Sequence, residues 1–112
     1  MITYQNGKIM EKEQELEIFG SYDVSVAGGG VAGCAAAMAV GKRGYRVLLG
    51  ENTSALGGLV TMGLVNIPLD FISGLGKEMI KTLEDVNGYW HRNTDPEKHK
   101  LVLDRMIKKY NV

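Results

Sequence analysis

Three glycines, Gly28, Gly30 and Gly33, stand in the spacing G-x-G-x-x-G, and a carboxylate, Glu51, follows roughly 20 residues further on. A second glycine pair, Gly57-Gly58, comes soon after that carboxylate. The chemistry these residue types allow is binding. Gly28 permits a tight turn, Gly30 removes the side chain that would keep a pyrophosphate from the backbone, and Gly33 lets a helix lie close to a strand. Glu51 can accept hydrogen bonds from ribose hydroxyls and would repel a 2′-phosphate. Asn52 stands where a phosphate-reading arginine could have helped, so a phosphorylated ribose is disfavoured. Other reactive types lack companions. Cys34 is the single cysteine, at a helix start that lowers thiol pKa, but with no partner for a redox pair it reads as a small packing residue. His91, in "YWHRN", has no identifiable partner, and His99 sits among charges on a helix and is expected to be exposed. No Ser-His-Asp set, Walker loop or metal-ligand cluster is visible, and no catalytic residue is assigned.

A G-x-G-x-x-G pattern means little unless a strand precedes it and a helix follows. Both are expected. "YDVSVA", Tyr22 to Ala27, is valine-rich and reads as a buried strand. Val31 to Arg43 reads as a helix with Gly44 as its stop, and the small residues Cys34 to Ala37 suit close helix–strand packing. "RVLL", Arg46 to Leu49, reads as the second strand, ending near Glu51. The N-terminus of that helix then offers N–H groups and a partial positive charge to phosphates. Beyond Glu51 the glycine-bearing stretch "NTSALGGLVTMGLVNIP" is longer than a nicotinamide dehydrogenase needs; it suits the phosphate and ribityl section of a flavin cofactor.

The flanking elements are less telling. Asn6-Gly7 between short β-prone runs is a plausible hairpin turn, and residues 1–20 read as a leader or edge ribbon. Between Phe71 and Gly88, Leu75, Met79, Leu83 and Val86 recur at helical spacing, with Gly88 closing the helix. Asp95-Pro96 reads as an N-cap and first helical position; Val102, Leu103, Met106, Ile107 and Tyr110 give that helix an apolar face. Lys98, Lys100, Lys108 and Lys109 read as its solvated side.

Composition sets bounds. The chain of 112 residues carries 13 basic and 13 acidic residues, a formal net charge of zero, so nothing favours nucleic acid or an anionic membrane. Val24 to Gly41 has no charged residue, but it is built from glycine and alanine rather than leucine, which argues against a membrane span. A cytoplasmic location is expected, compatible with one cysteine and an acidic N-terminus unlike a signal peptide.

The stretch "YDVSVAGGGVAGCAAAMAVGKRGYRVLLGENTSALGGLVTMGLVN" resembles the N-terminus of FAD-dependent oxidoreductases of the glutathione-reductase-like superfamily, and more narrowly bacterial FAD-dependent oxidoreductases. Leu56-Gly57-Gly58 matches their "LGG" and Thr61 to Asn66 their "T-x-GLVN"; "DPEKHKLVLDRMIKKYNV" resembles the helix before their third strand. The resemblance implies FAD as cofactor. It implies backbone phosphate contacts at Gly28 to Gly33, including the N–H groups of Val31 and Ala32. It places Glu51 on the ribose, and Gly57 and Gly58 along the phosphate and ribityl part with Thr61 nearby. Val31 replaces a frequent proline, and Ser25 and Gly50 interrupt strands usually more aliphatic. The expected fold is α/β: a partial Rossmann-like βαβ dinucleotide-binding unit over residues 21–112, followed by two helices and truncated before the third strand. Such a chain is expected to be inactive alone, to self-associate as a homo-oligomer, and to leave its small-molecule substrate unidentified. The alternative is a non-catalytic nucleotide-binding or interaction module of the same fold.

Overall fold

The computed structural model describes residues 2–67 and 73–112. The chain opens with an antiparallel hairpin of β1 (Ile2–Gln5) and β2 (Lys8–Glu11), in register Gln5↔Lys8 across Asn6-Gly7. Asn6 and Gly7 have φ of 50° and 72°, the left-handed pair a two-residue turn demands and these two residue types tolerate. Every described residue up to Asp23 is exposed.

The central unit is β3 (Val24–Ala27), α1 (Val31–Gly41) and β4 (Val47–Gly50), with the two strands parallel in register Val24↔Val47 to Ala27↔Gly50. Parallel strands require such a crossover, and the result is a partial Rossmann-like unit, as expected. Its details differ from expectation. β3 starts two residues later than Tyr22 and is only half-buried: Val24 and Val26 turn inward, Ser25 and Ala27 outward. Among the described residues one face of the strand pair is covered, by α1, so alternation replaces full burial. β4 starts at Val47, where Arg46 pairs only in part: its carbonyl accepts from the Asp23 and Val24 N–H groups (2.9 and 3.2 Å), while its own N–H donates to the Asp23 carboxylate (2.8 Å). α1 stops at Gly41, and Gly44 (φ 86°) turns the chain with its N–H on the Gly41 carbonyl, 2.9 Å.

The remaining elements close the other side of α1. Leu75, Met79 and Leu83 fall on one side of α2 (Gly74–Asp85); the expected start at Phe71 lies outside the described residues. Asn87 (φ 54°), rather than Gly88, takes the left-handed position after this helix. The Asn87 N–H donates to Glu84 and the Gly88 N–H to Leu83, a Schellman closure. Space at Gly88 is tight: a Cβ there would lie 3.0 Å from Lys98 Cβ and 3.1 Å from Leu83 Cδ2, so these side chains would have to give by a few tenths of an ångström. A two-residue hairpin of β5 (Tyr89–Trp90) and β6 (Asn93–Thr94), not expected from the sequence, turns on His91 and Arg92 with φ of 45° and 66°. α3 (Pro96–Lys109) begins as anticipated: the Asp95 carboxylate accepts from the Glu97 and Lys98 N–H groups at 2.9 and 3.2 Å.

The core lies where the three helices meet. Cys34 and Met38 of α1, Met79 and Leu83 of α2, and Val102, Leu103 and Met106 of α3, with Tyr110, are buried together. Glu78 ties α2 to the end of α3, accepting from Lys109 Nζ and the Tyr110 hydroxyl, both at 2.6 Å. His99, expected to be exposed, is fully buried. It falls three and four residues before Val102 and Leu103, so its ring sits on the apolar stripe and the neighbouring lysines flank it.

Candidate functional site

Four short segments converge at the start of α1. β3 delivers Gly28, whose N–H donates to the Gly50 carbonyl at 2.7 Å and whose φ of 102° turns the chain out of the ladder. Gly30 is the N-cap of α1, with φ −66° and ψ −179°, an extended conformation open to any residue. Cys34 N–H makes the first bond of the helix, to Gly30 O at 2.9 Å, so the N–H groups of Val31, Ala32 and Gly33 precede any intrahelical acceptor. The glycines differ in what surrounds them. A Cβ on Gly33 would lie 1.8 Å from the Gly28 carbonyl oxygen, so Gly33 is required for packing. A Cβ on Gly30 would meet nothing within 4 Å. The space over Gly30 is therefore open, and the backbone there is accessible to a ligand.

The second glycine pair lies against the first loop. Gly57 N–H donates to Gly29 O at 2.7 Å, Gly30 and Gly57 form a parallel bridge, and a Cβ on Gly58 would lie 3.3 Å from Gly30 Cα. Gly57 (φ 105°) is buried and leads into a single 3-10 turn, Gly58–Val60. Thr61 is fully buried; its hydroxyl donates to Leu56 O at 2.6 Å, bracing the loop from beneath. Downstream, Asn66 O accepts from Thr94 N–H at 2.8 Å, fastening the segment to β6.

Glu51 is held rather than loose. Its Oε2 accepts from Gly29 N–H at 2.7 Å and its Oε1 from Thr53 N–H at 2.8 Å. These hydrogen bonds, the one from Thr53 first, hold its carboxyl below the ordinary carboxylate range, so it is ionised at neutral pH. Each carboxylate oxygen has a further lone pair, which leaves an acceptor site on each for a diol. Asn52 is exposed beside it, and Ala27, Gly28, Gly50, Glu51 and Asn52 line one open depression.

Gly29, outside the G-x-G-x-x-G spacing, is the residue the sequence reading missed. Its N–H holds Glu51, and its carbonyl accepts from Gly57 N–H and from the Cys34 thiol (3.1 Å). A Cβ there would lie 2.5 Å from Leu56 Cδ2 and 3.0 Å from Glu51 Oε2. The signal was the unbroken Gly28-Gly29-Gly30 run, one glycine more than the spacing needs. Burial pushes the Cys34 thiol above its ordinary range, in keeping with a packing residue. His91 is exposed on its turn, its ring edge-on to Trp90 at 4.3 Å, remote in role from the glycine loops. Among the described residues no cluster of His, Cys, Asp or Glu could hold a metal ion, and no helix is long and apolar enough to cross a membrane.

The arrangement brings together an open backbone at a helix N-terminus, a fixed carboxylate and a second glycine loop, the last two both fastened to Gly29. The profile of the family described as FAD dependent oxidoreductase matches residues 23–112. No curated protein and no solved structure gives a match. The chain belongs to the FAD-dependent oxidoreductase family, whose cofactor is FAD.

Proposed function

We propose that residues 21–112 bind the ADP part of FAD within a flavin-dependent oxidoreductase of the glutathione-reductase-like kind. The observation that carries this is the seating of Gly57-Gly58 on Gly29-Gly30, with Glu51 tied into the same knot. In this reading the N–H groups of Val31 and Ala32 receive the pyrophosphate, over the space left open by Gly30. The backbone of Gly28 and Gly33 shapes that turn. Glu51 accepts the ribose hydroxyls, and the exposed Asn52 borders the same depression. Gly57 and Gly58 run along the phosphate and ribityl section. Thr61 acts through the loop it braces, because its hydroxyl is engaged with Leu56 O.

FAD, when bound, supplies two-electron transfer to and from a substrate. The contribution of this chain is binding and orientation: fixed N–H donors for the phosphates and a fixed anion for the ribose. No described residue is assigned a proton-transfer role, and the chain alone is expected not to turn over substrate. Titration of the chain with FAD, followed by quenching of flavin fluorescence, tests the assignment. ADP should displace the flavin, and NADP should not, because Glu51 repels its 2′-phosphate. Flavin binding that ADP leaves untouched, or displacement by NADP as effective as by ADP, contradicts it.

A further inference from the structure

Glu51 borders two spaces. One is the open depression it shares with Gly28 and Asn52. The other is a groove of about 510 Å³, walled by Leu49 of β4, by Leu56, and by Asp104 and Ile107 of α3. Among the described residues no cationic side chain lines either space, so backbone donors fix where the carboxylate stands. A glutamate side chain is rich in rotamers, and an unrestrained one could leave the depression for the groove. That freedom bears on selectivity. An anion rejects a 2′-phosphate only while it is held in the competitor's way; one that swings aside rejects nothing.

Two N–H groups supply the restraint, and they differ in what steadies them. Gly29 N–H, on Oε2, belongs to a peptide run fixed by the bond from Gly57 N–H to Gly29 O. Thr53 N–H, on Oε1, belongs to an exposed irregular stretch. What steadies it is its own hydroxyl, which donates to Ala55 O at 2.9 Å. Thr53 lines the groove and is absent from the lining of the depression, so it reaches a nucleotide only through Glu51.

We infer that Thr53 is a positioning residue that sets nucleotide selectivity: its hydroxyl braces the turn whose N–H keeps Glu51 beside the ribose, where it excludes a 2′-phosphate. The inference rests on the ADP-binding reading above and deepens it. To admit a 2′-phosphate, Glu51 must give up its backbone bonds, and the Thr53 hydroxyl raises the cost of doing so.

The probes are AMP and adenosine 2′,5′-bisphosphate, which differ only in the 2′-phosphate, each used to displace FAD from the 112-residue chain with flavin fluorescence as the signal. Thr53→Val keeps the β-branched shape and removes the hydroxyl; Thr53→Ser keeps the hydroxyl. The advantage of AMP over the bisphosphate should narrow about fivefold in Thr53→Val, the ratio one net hydrogen bond provides, and should hold in Thr53→Ser. In the unliganded proteins the amide hydrogen of residue 53 should exchange about fivefold faster in Thr53→Val alone, with that of Gly29 unchanged. A merely structural role would weaken both nucleotides alike and leave their ratio unmoved. Circular dichroism checks folding, and Thr53→Ala is the second hydroxyl-free variant should valine disturb it. While AMP displaces FAD from wild type, an unchanged ratio or unchanged exchange in the hydroxyl-free variant, or an equal loss in Thr53→Ser, overturns the role of Thr53 alone. FAD that AMP cannot displace from wild type overturns the ADP-binding reading, and the inference falls with it.

Discussion

Gly29 and Gly30 are neighbours with opposite duties, and only the second was legible from spacing. Gly29 is enclosed by Glu51 and Leu56, whereas Gly30 faces open space. A sequence pattern reports that glycine is required, not whether protein or ligand fills the place of the missing side chain. Histidine posed the same difficulty. The lysines on either side of His99 suggested solvent, yet its position one turn before Val102 and Leu103 put it in the core. Its burial has a pH signature. Desolvation lowers its pKa from 6.5 to about 4, so the folded chain holds the ring neutral while the unfolded chain protonates it below 6.5. A base whose folded pKa is depressed leaves stability complete above the unfolded value and erodes it as pH falls toward the folded one. Stability should therefore drop between pH 6.5 and about 4, with a ceiling of about 3 kcal/mol at 1.36 kcal/mol per pH unit. Urea unfolding across that interval measures it, with His99→Leu as the control that should flatten the slope; an unchanged slope in the folded variant contradicts the buried neutral ring. Glu51 acts at lower pH. Its carboxyl is held below its ordinary value of 4.5, so its share is complete above 4.5 and lost as pH falls through the depressed folded value.

Elements were legible wherever a residue type has a conformational preference of its own. Asn6-Gly7 accepts two positive φ values, and Asp95-Pro96 combines a capping carboxylate with a preset φ; both elements start where those residues place them. The β5–β6 hairpin escaped because its turn, His91-Arg92, carries no glycine or Asn-Gly signal, and strands of two residues have no periodicity to detect. The limits of β3 and β4 were missed by one or two residues, since the pairing of Asp23 with Arg46, through backbone and through the Asp23 carboxylate, lies at their start and no local pattern encodes it. The Asp95 cap is a direct test at this scale. Asp95→Ala should release the Glu97 and Lys98 N–H groups and destabilise the chain by about 1 kcal/mol. A lower urea midpoint with an unchanged slope is the expected result. An unchanged midpoint would mean that α3 is set by tertiary packing alone.

At the scale of the whole molecule, a compact helical core carries a slender appendage. The radius of gyration is 17.5 Å and the longest extent 56 Å, against roughly 13 Å expected for a compact chain of this length. Two features favour association. Among the described residues the β3–β4 pair has no third strand on either side, and the N-terminal arm exposes Tyr4, Ile9, Ile18 and Phe19. Sedimentation velocity should show concentration-dependent association. Deleting residues 1–20 separates the two sources: association that persists assigns it to the bare strands, and association that vanishes assigns it to the arm. A monomer at all concentrations contradicts both. The central claim, that the glycine loop exists to admit a phosphate, turns on Gly30. Its φ of −66° accepts a side chain and nothing lies within 4 Å of the added Cβ, so Gly30→Val should leave the fold intact. Flavin titration of wild type and Gly30→Val, each paired with a thermal unfolding curve of the unliganded chain, is the most direct measurement. The expected result is a loss of FAD affinity of about tenfold or more with nearly the same unfolding temperature; equal affinity in the two proteins would reduce Gly30 to a turn residue and contradict the assignment.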